Sequence, residues 1–366
     1  MIGAVRSAAV AAGPGIASLF ESARLVLVGE PAPSAQVGSF VQDLPGHLDS
    51  AGVHHIGIWW AQADDQDLLD GLVTAPSFDE QAACWAVHRQ TVRTGADFAE
   101  YLDVLRAAWR HNRRLGPGRP PMRIVGLDAE LALDAVTDTA DLTQPEAWVH
   151  LRPRGPLAMV AAEVVAERIL DPGHKALLVV PQAQAFTRWR RPRHPLVDRY
   201  DIDVRDGQVL GLGNRLFAMV GDQAVTVLVH GPAHGTAGGP AWADVAGGRL
   251  DAVLAASEVE TPSLLALSGP LGDLPLGGGW QGLSLAAVAR AWLVAAPPGE
   301  MRPPTPLRGL VHEGNIDEQR RRALDPILRR LDSTPADFDD RLTSRVQDAM
   351  GRWRTAHLRP GDMGEL

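Results

Sequence analysis

Three side chains that exchange protons stand at the ends of apolar runs. Glu30 and Asp128 each follow such a run directly, and His230 ends a third. Continuous apolar runs of this length are typical of buried parallel strands, whose carboxyl ends meet at one edge of the sheet. Ligands of parallel sheets bind beyond that edge. The pattern therefore predicts a cleft there, with Glu30 or His230 as the candidate general base.

Further polar and aromatic residues belong to the same predicted edge. The expected ligand-binding residues are Trp59, Trp60, Asp128, Gln182, Gln184, Arg188 and Arg190. Arginines beside an aromatic ring, as around Trp189, are typical of sites for anionic groups, which favours a small anionic organic ligand. The alternatives are a solvated basic loop, a helix-capping role for Asp128, and core packing for the two tryptophans.

The elements that must position these residues alternate between strand and helix. Strands are predicted over Arg24–Gly29, Val53–Trp60, Met122–Leu127, Lys175–Val180 and Ala224–His230. This alternation predicts an α/β fold with a mainly parallel central sheet flanked by helices. Within the second strand, His54 and His55 are consecutive and must point to opposite faces, so one of them is expected to be buried.

Two helical segments extend this core. The region 61–120, after the second strand, is too long for one crossover helix and predicts a helical insertion that covers the strand ends as a lid; its helices are Asp64–Val73, Phe78–Val92 and Asp97–Leu115. A C-terminal helical extension is predicted for 307–366, beyond an α/β domain of 1–306. An apolar stripe on its last helix is expected to pack on the core or on a second copy, as in a homo-oligomer.

Composition excludes several classes of protein. There are 35 basic and 44 acidic residues, and the net charge of -9 disfavours nucleic acid as a partner. No apolar run approaches the roughly 20 residues of a membrane-spanning helix. Cys84 is the single cysteine, so no intrachain disulfide or cysteine-based zinc cluster can form, which is compatible with the cytoplasm. The N-terminal run faintly resembles a signal peptide, but Gly13-Pro14-Gly15 interrupts it.

The order of these segments resembles the erythromycin-esterase-like and ChaN-like group, the haem-binding-uptake/Tiki superfamily. The resemblance rests on LVLVGEPAPSAQVGSF from Leu25, on RIVGLD at Arg123–Asp128, and on the helical insertion, and covers roughly 25–232. The group places glutamate after its first strand, as Glu30 here, a histidine soon after it, a glutamate after the second strand and histidines after the fourth.

The departures from that pattern bear on chemistry. Pro33 or Ser34 stands where the first histidine is expected, Trp59 where the second glutamate is, and Gln182 and Gln184 where the later histidines are. Glutamine is neither a general base at neutral pH nor a good transition-metal ligand. The resemblance therefore implies a ligand-binding protein with no metal and no cofactor, whose acid/base chemistry is lost. A metal-independent hydrolase or lyase and a non-catalytic scaffold are the alternatives.

Overall fold

The computed structural model describes residues 1–31, 33–88, 98–130, 132, 152–192, 204–205, 208–231, 233–234, 242–243, 245–277, 282–297, 300–302, 304–305 and 307. Apart from Leu307, the expected C-terminal extension lies outside these residues.

The fold is built on one eight-stranded sheet, with the strand order β1-β12-β13-β9-β2-β5-β3-β4. Its strands are β1 (Ala9–Ala11), β2 (Leu25–Glu30), β3 (His55–Gln62), β4 (Arg123–Asp128), β5 (Ala176–Pro181), β9 (Ala224–Val229), β12 (Ser263–Ala266) and β13 (Ala291–Val294). All neighbours from β13 to β4 pair in parallel, and β12 is antiparallel to both of its neighbours. The predicted α/β fold with a mainly parallel sheet is confirmed.

Two small sheets lie beside the main one. One contains β6 (Arg191–Pro192), β8 (Gln208–Val209) and β7 (Val204–Arg205), and the other β10 (Ala233–His234) and β11 (Trp242–Ala243).

Helices cover both faces of the sheet, and each face has its own apolar cluster. The helices of one face are α2 (Ala12–Leu19), α3 (Ala35–Asp43), α4 (Pro45–Ser50), α5 (Gln66–Thr74), α6 (Glu80–His88) and α7 (Ala99–Asn112). The others are α1 (Ile2–Ala8), α8 (Leu157–Val165, continued by a π turn over Ala166–Leu170), α9 (Gln182–Ala185), α10 (Leu212–Val220), α11 (Arg249–Ser257), α12 (Gly269–Gly272) and α13 (Leu285–Val288). We call the first face the α7 face and the opposite one the α8 face. No helix among the described residues is long and apolar enough to cross a membrane.

The described helices of the insertion, α5, α6 and α7, form a layer on one face of the sheet and not a lid over the strand ends. Helix α7 runs along the whole length of the sheet. Tyr101, near its start, reaches Glu30 at the carboxyl edge, whereas Asn112 at its end donates to the carbonyls of Val73 and Met122 near the amino edge. The physical reason is that α7 has an apolar stripe, which includes Leu105. Packing of the helix along the sheet removes this stripe from water.

The turn that follows Glu30 leads into α3 through a capping serine. Ser34 is 1% exposed and its hydroxyl accepts a hydrogen bond from the backbone N–H of Val37 at 3.2 Å. This bond satisfies one of the donors that a helix start leaves unpaired.

Removing that cap should destabilise the fold modestly. We expect Ser34→Ala to lower the free energy of unfolding by about 1 kcal/mol, because one helix donor loses its acceptor. Urea unfolding measures the loss, with Ser50→Ala at an exposed position of α4 as the control, since the Ser50 hydroxyl bonds only within its own helix. Equal stability of the two variants would contradict the capping role.

Candidate functional site

The carboxylate of Glu30 is buried at the carboxyl end of β2. The residue is 3% exposed and its side chain lies on the α7 face, as do those of Val26 and Val28, because side chains two apart on a strand share a face. Its Oε1 accepts the backbone N–H of Ser34 at 3.0 Å. Its Oε2 accepts the hydroxyl of Tyr101 at 2.8 Å.

These surroundings raise the pKa of Glu30 to about 7. Burial is the largest cause, since removal from water disfavours the charged form. The hydrogen bonds from Tyr101 and Ser34, together with the nearby indole of Trp59, act in the opposite direction and keep the pKa near neutrality. A carboxyl group in this range changes its charge under physiological conditions and can donate or accept a proton.

Aromatic side chains pack around this carboxylate. Trp60 is fully buried and stacks on Tyr101 with ring centroids 4.0 Å apart. Trp59 meets Tyr101 edge-on at 6.1 Å. The indole N–H of Trp59 is close enough to Glu30 to lower its pKa, but no acceptor among the described residues lies within hydrogen-bonding geometry of it. Both tryptophans therefore lie beside Glu30, as expected, and Trp60 belongs to the core.

Tyr101 is the functional contact that sequence reasoning missed. The chain has 2 tyrosines, and Tyr101 occurs within the apolar stripe of a predicted helix. A tyrosine in such a stripe must find a polar partner for its hydroxyl when it is buried. That requirement was the available signal, although nothing in the sequence identified Glu30 as the partner.

Tyr101→Phe should raise the pKa of Glu30 further. The substitution preserves the ring stack on Trp60 but removes the hydroxyl that stabilises the ionised carboxylate. An NMR titration of the labelled Glu30 side-chain carboxyl carbon follows its protonation directly. An unchanged or lower midpoint in the variant would show that this hydrogen bond does not hold the charge.

The chain is similar to several solved structures, all at low sequence identity. No protein-family model matches the sequence, and a search of curated proteins found no match. Among solved structures, a mutant of erythromycin esterase EreC in its open conformation is 13% identical over 76% of this chain and 92% of its own, with a TM-score of 0.48. A protein from Bacillus cereus is 12% identical over 76% of this chain and 90% of its own, with a TM-score of 0.47. Both similarities are distant.

A third match covers only part of the solved chain. The structure described as bacterial protein toxins is 17% identical over 62% of this chain, with a TM-score of 0.38, and the match spans 38% of that chain.

His230 does not join Glu30. It follows β9, is 1% exposed, and packs on the α8 face with Trp292 of β13. Trp292 Nε1 donates to His230 Nδ1 at 3.1 Å, so the ring proton is on Nε2, which contacts Asp251 Oδ1 at 2.9 Å. Both ring nitrogens are therefore engaged, and the predicted common cleft for Glu30 and His230 is not formed. Neighbouring strand ends share an edge but can present side chains to opposite faces.

Gln182 and Gln184 have different positions, although they belong to the same short helix, α9. Gln184 Oε1 accepts the backbone N–H of Leu212 at 2.9 Å and so supports the start of α10. Gln182 is 2% exposed and directly follows Pro181, the residue that pairs with Glu30. Its Nε2 has no hydrogen-bond partner among the described residues. Gln182 Cα lies beside Gly29 on the α8 face, so neither glutamine is placed beside the Glu30 carboxylate on the opposite face.

Arg188 and Arg190 do not lie at the predicted edge. Arg188 pairs with Asp222 and lies over the ring of Phe217 at 5.6 Å. Asp222 lies two residues before β9, so the Arg188 side chain reaches across the α8 face towards the amino edge of the sheet. Arg190 is exposed. Arg188 is consequently not part of an anion clamp for a ligand beside Glu30, because the chain after α9 runs back along the opposite face of the sheet.

Asp128 ends β4 and is fully buried, and its Oδ1 accepts the N–H of Ala129 at 2.8 Å. This bond goes to the next residue and no helix begins at Asp128 among the described residues, so the helix-capping role stays a prediction.

The donor set near Glu30 does not fit a metal ion. Its hydrogen-bond partners are a tyrosine hydroxyl and a backbone N–H, and no group of three His, Cys, Asp or Glu side chains among the described residues is placed to hold a metal. No metal-dependent step is therefore assigned to this site.

Proposed function

We propose that the protein binds a small organic molecule with acceptor oxygens, such as a carboxylate or an ester, beside Glu30 at the carboxyl edge of the sheet. The observation that carries the proposal is the buried Glu30 carboxyl, whose pKa of about 7 keeps it partly protonated at neutral pH. A protonated carboxyl donates a hydrogen bond to an acceptor, and an ionised one repels it.

The unpaired donors of this region support the same ligand chemistry. The indole N–H groups of Trp59 and Trp60 have no hydrogen-bond partner within the described part of the chain. A buried donor left unpaired costs about 1–3 kcal/mol, which an acceptor on a ligand would recover. Tryptophan does not titrate near neutral pH, so it favours recognition over proton transfer.

Mass spectrometry of molecules that copurify with the protein identifies the ligand, and calorimetry at several pH values then tests the role of Glu30. The wild-type affinity should fall as the pH rises through about 7. Glu30→Gln, which resembles the protonated form, should bind with little pH dependence, and Trp60→Phe, which removes an indole N–H, should bind at least tenfold more weakly, about 1.4 kcal/mol. Identical pH profiles for wild type and Glu30→Gln would reject the proposal.

A metal-independent hydrolase is the second candidate, and the neutral pKa of Glu30 favours it. Glu30 would take a proton from water as the water oxygen attacks an ester carbonyl, and would return the proton to the departing alkoxide. Carboxylic esters and lactones are the substrates to test, with erythromycin among them because of the name of the EreC neighbour. The value of kcat/KM should increase as the pH rises through about 7, and Glu30→Gln should reduce it roughly 100-fold or more. Hydrolysis that survives this substitution would exclude Glu30 as the base.

A further inference from the structure

A groove of about 640 Å³ opens at the other end of the sheet, beside the edge strand β1. Three strands, β12, β13 and β9, separate β1 from β2 and thus from Glu30. At the usual strand spacing this places the groove roughly 19 Å from the Glu30 site. Its volume is within the range of pockets that hold small molecules.

The floor of this groove is apolar. It is the segment from Ala9 to Pro14, which contains β1 and the start of α2, and one wall is formed by Phe40, Asp43, Leu44 and His47. The opposite wall is the connection from Ser257 to Ser263, between α11 and β12. Val10, on the floor, is 52% exposed, so the groove offers open apolar contact area.

Carboxylates dominate the charge at the rim. Asp43 and Glu260 are exposed and have no hydrogen bond or ion pair within the described part of the chain. The cation of Arg6 is already engaged, because its Nε donates to the carbonyl of Ser257 at 2.9 Å and its NH2 lies 3.8 Å from Glu258. The two unpaired carboxylates therefore favour a cation in the groove.

A buried hydroxyl provides a second and independent indication of a ligand. Ser263 lines the groove and is 3% exposed, yet its Oγ has no hydrogen-bond partner among the residues described. Buried hydroxyl groups are normally paired, so this atom requires an external partner. An N–H of a bound cation would supply that partner, since a hydroxyl oxygen accepts hydrogen bonds.

We propose that this groove is a second binding site, for a small organic cation in which an ammonium or guanidinium group is attached to an apolar body. The apolar body contacts the floor at Val10, the cationic group lies between Asp43 and Glu260, and the Ser263 hydroxyl accepts one of its N–H groups. Nothing in this site depends on the function proposed for Glu30.

The test is an NMR titration of the full-length protein, labelled on the methyl groups of valine and leucine, with phenethylamine. Phenethyl alcohol serves as the neutral probe of the same shape. We expect saturable shifts of the Val10, Leu44 and Val259 methyl signals with the amine, and at least tenfold weaker binding of the alcohol. Absence of saturable binding by the amine, or equal binding of the two probes, would overturn the proposal.

Substitutions test which side chains bind the cationic group. Asp43→Asn combined with Glu260→Gln should weaken amine binding at least tenfold, and Ser263→Ala should weaken it several-fold without loss of fold, since an unpaired hydroxyl is removed. The matched control is Glu21→Gln combined with Asp273→Asn, which removes two exposed carboxylates outside the groove. Equal affinity of the groove variant and this control would exclude the carboxylates from binding.

Discussion

Replacing Glu30 by glutamine should stabilise the protein by about 3 kcal/mol more at pH 8 than at pH 4.5. The pKa of Glu30 rises from 4.5 to about 7 on folding, and every tenfold change in proton affinity corresponds to about 1.4 kcal/mol. Between these two values the folded state holds a proton that the unfolded state has released. The stability contributed by Glu30 is thus complete below pH 4.5 and is lost as the pH rises through about 7.

Glutamine imitates the protonated side chain. Its oxygen accepts the N–H of Ser34 and its amide donates to the oxygen of Tyr101, so both contacts are preserved without a charge. Urea unfolding of wild type and variant at intervals between pH 4.5 and pH 8 gives the difference directly. Glu21→Gln, on an exposed turn, is the control and should show a small and nearly constant difference. A constant difference for Glu30→Gln as well would mean that the carboxyl ionises as freely as an exposed one.

The perturbed pKa of Glu30 and ligand binding beside it can be tested separately. A pH-dependent stability difference establishes the perturbed carboxyl whether or not a ligand binds. Loss of ligand binding in Trp60→Phe, with the Glu30 titration unchanged, would then assign recognition to the buried indole N–H. The two measurements together distinguish a proton-linked binding site from a glutamate that only connects β2 to α7.

The backbone of the central strands was largely predictable from sequence. All five predicted strands form, with boundaries shifted by one or two residues, because each is an apolar run long enough to be buried on both faces. The strands β1, β12 and β13 were not predicted. They contain three or four residues each, and β13 lies within the apolar stretch Ala286–Ala296, where periodicity does not separate a short strand from a helix.

The side-chain arrangement of the site was predictable only in part. The position of Glu30 at a strand end follows from the sequence, and so does the burial of one histidine of the pair His54 and His55. The face of His230 does not, since it depends on the register between strands distant in sequence. The return of Arg188 to the amino edge depends on the direction of the chain after α9, which no local pattern specifies. The sequence therefore predicted that the site lies at the carboxyl edge of the sheet, but not which side chains lie together there.

The second large effect concerns His55, at the amino edge of the sheet. It is 5% exposed, its ring stacks on His174 with centroids 4.7 Å apart, and neither ring nitrogen has a hydrogen-bond partner among the described residues. Burial, followed by the charges of His174 and Arg123, lowers its pKa from 6.5 to about 4. Between these values the unfolded state binds a proton that the folded state does not, so the folded state loses stability as the pH falls from 6.5 towards 4.

His55→Leu should remove this acid sensitivity. The free energy of unfolding of the variant minus that of the wild type should be about 3 kcal/mol larger at pH 4 than at pH 7. The reason is that the variant no longer has an imidazole that takes up a proton on unfolding. In the wild type the contributions of Glu30 and His55 have opposite signs and largely cancel between pH 4.5 and pH 6.5. Glu30→Gln should therefore expose the rise of stability with pH that His55 causes, and His55→Leu the fall that Glu30 causes. The residues lie at opposite edges of the sheet, so the double variant should show the sum of the two effects and neither slope. A double variant that retains the slope of either single variant would assign that slope to a group other than Glu30 or His55.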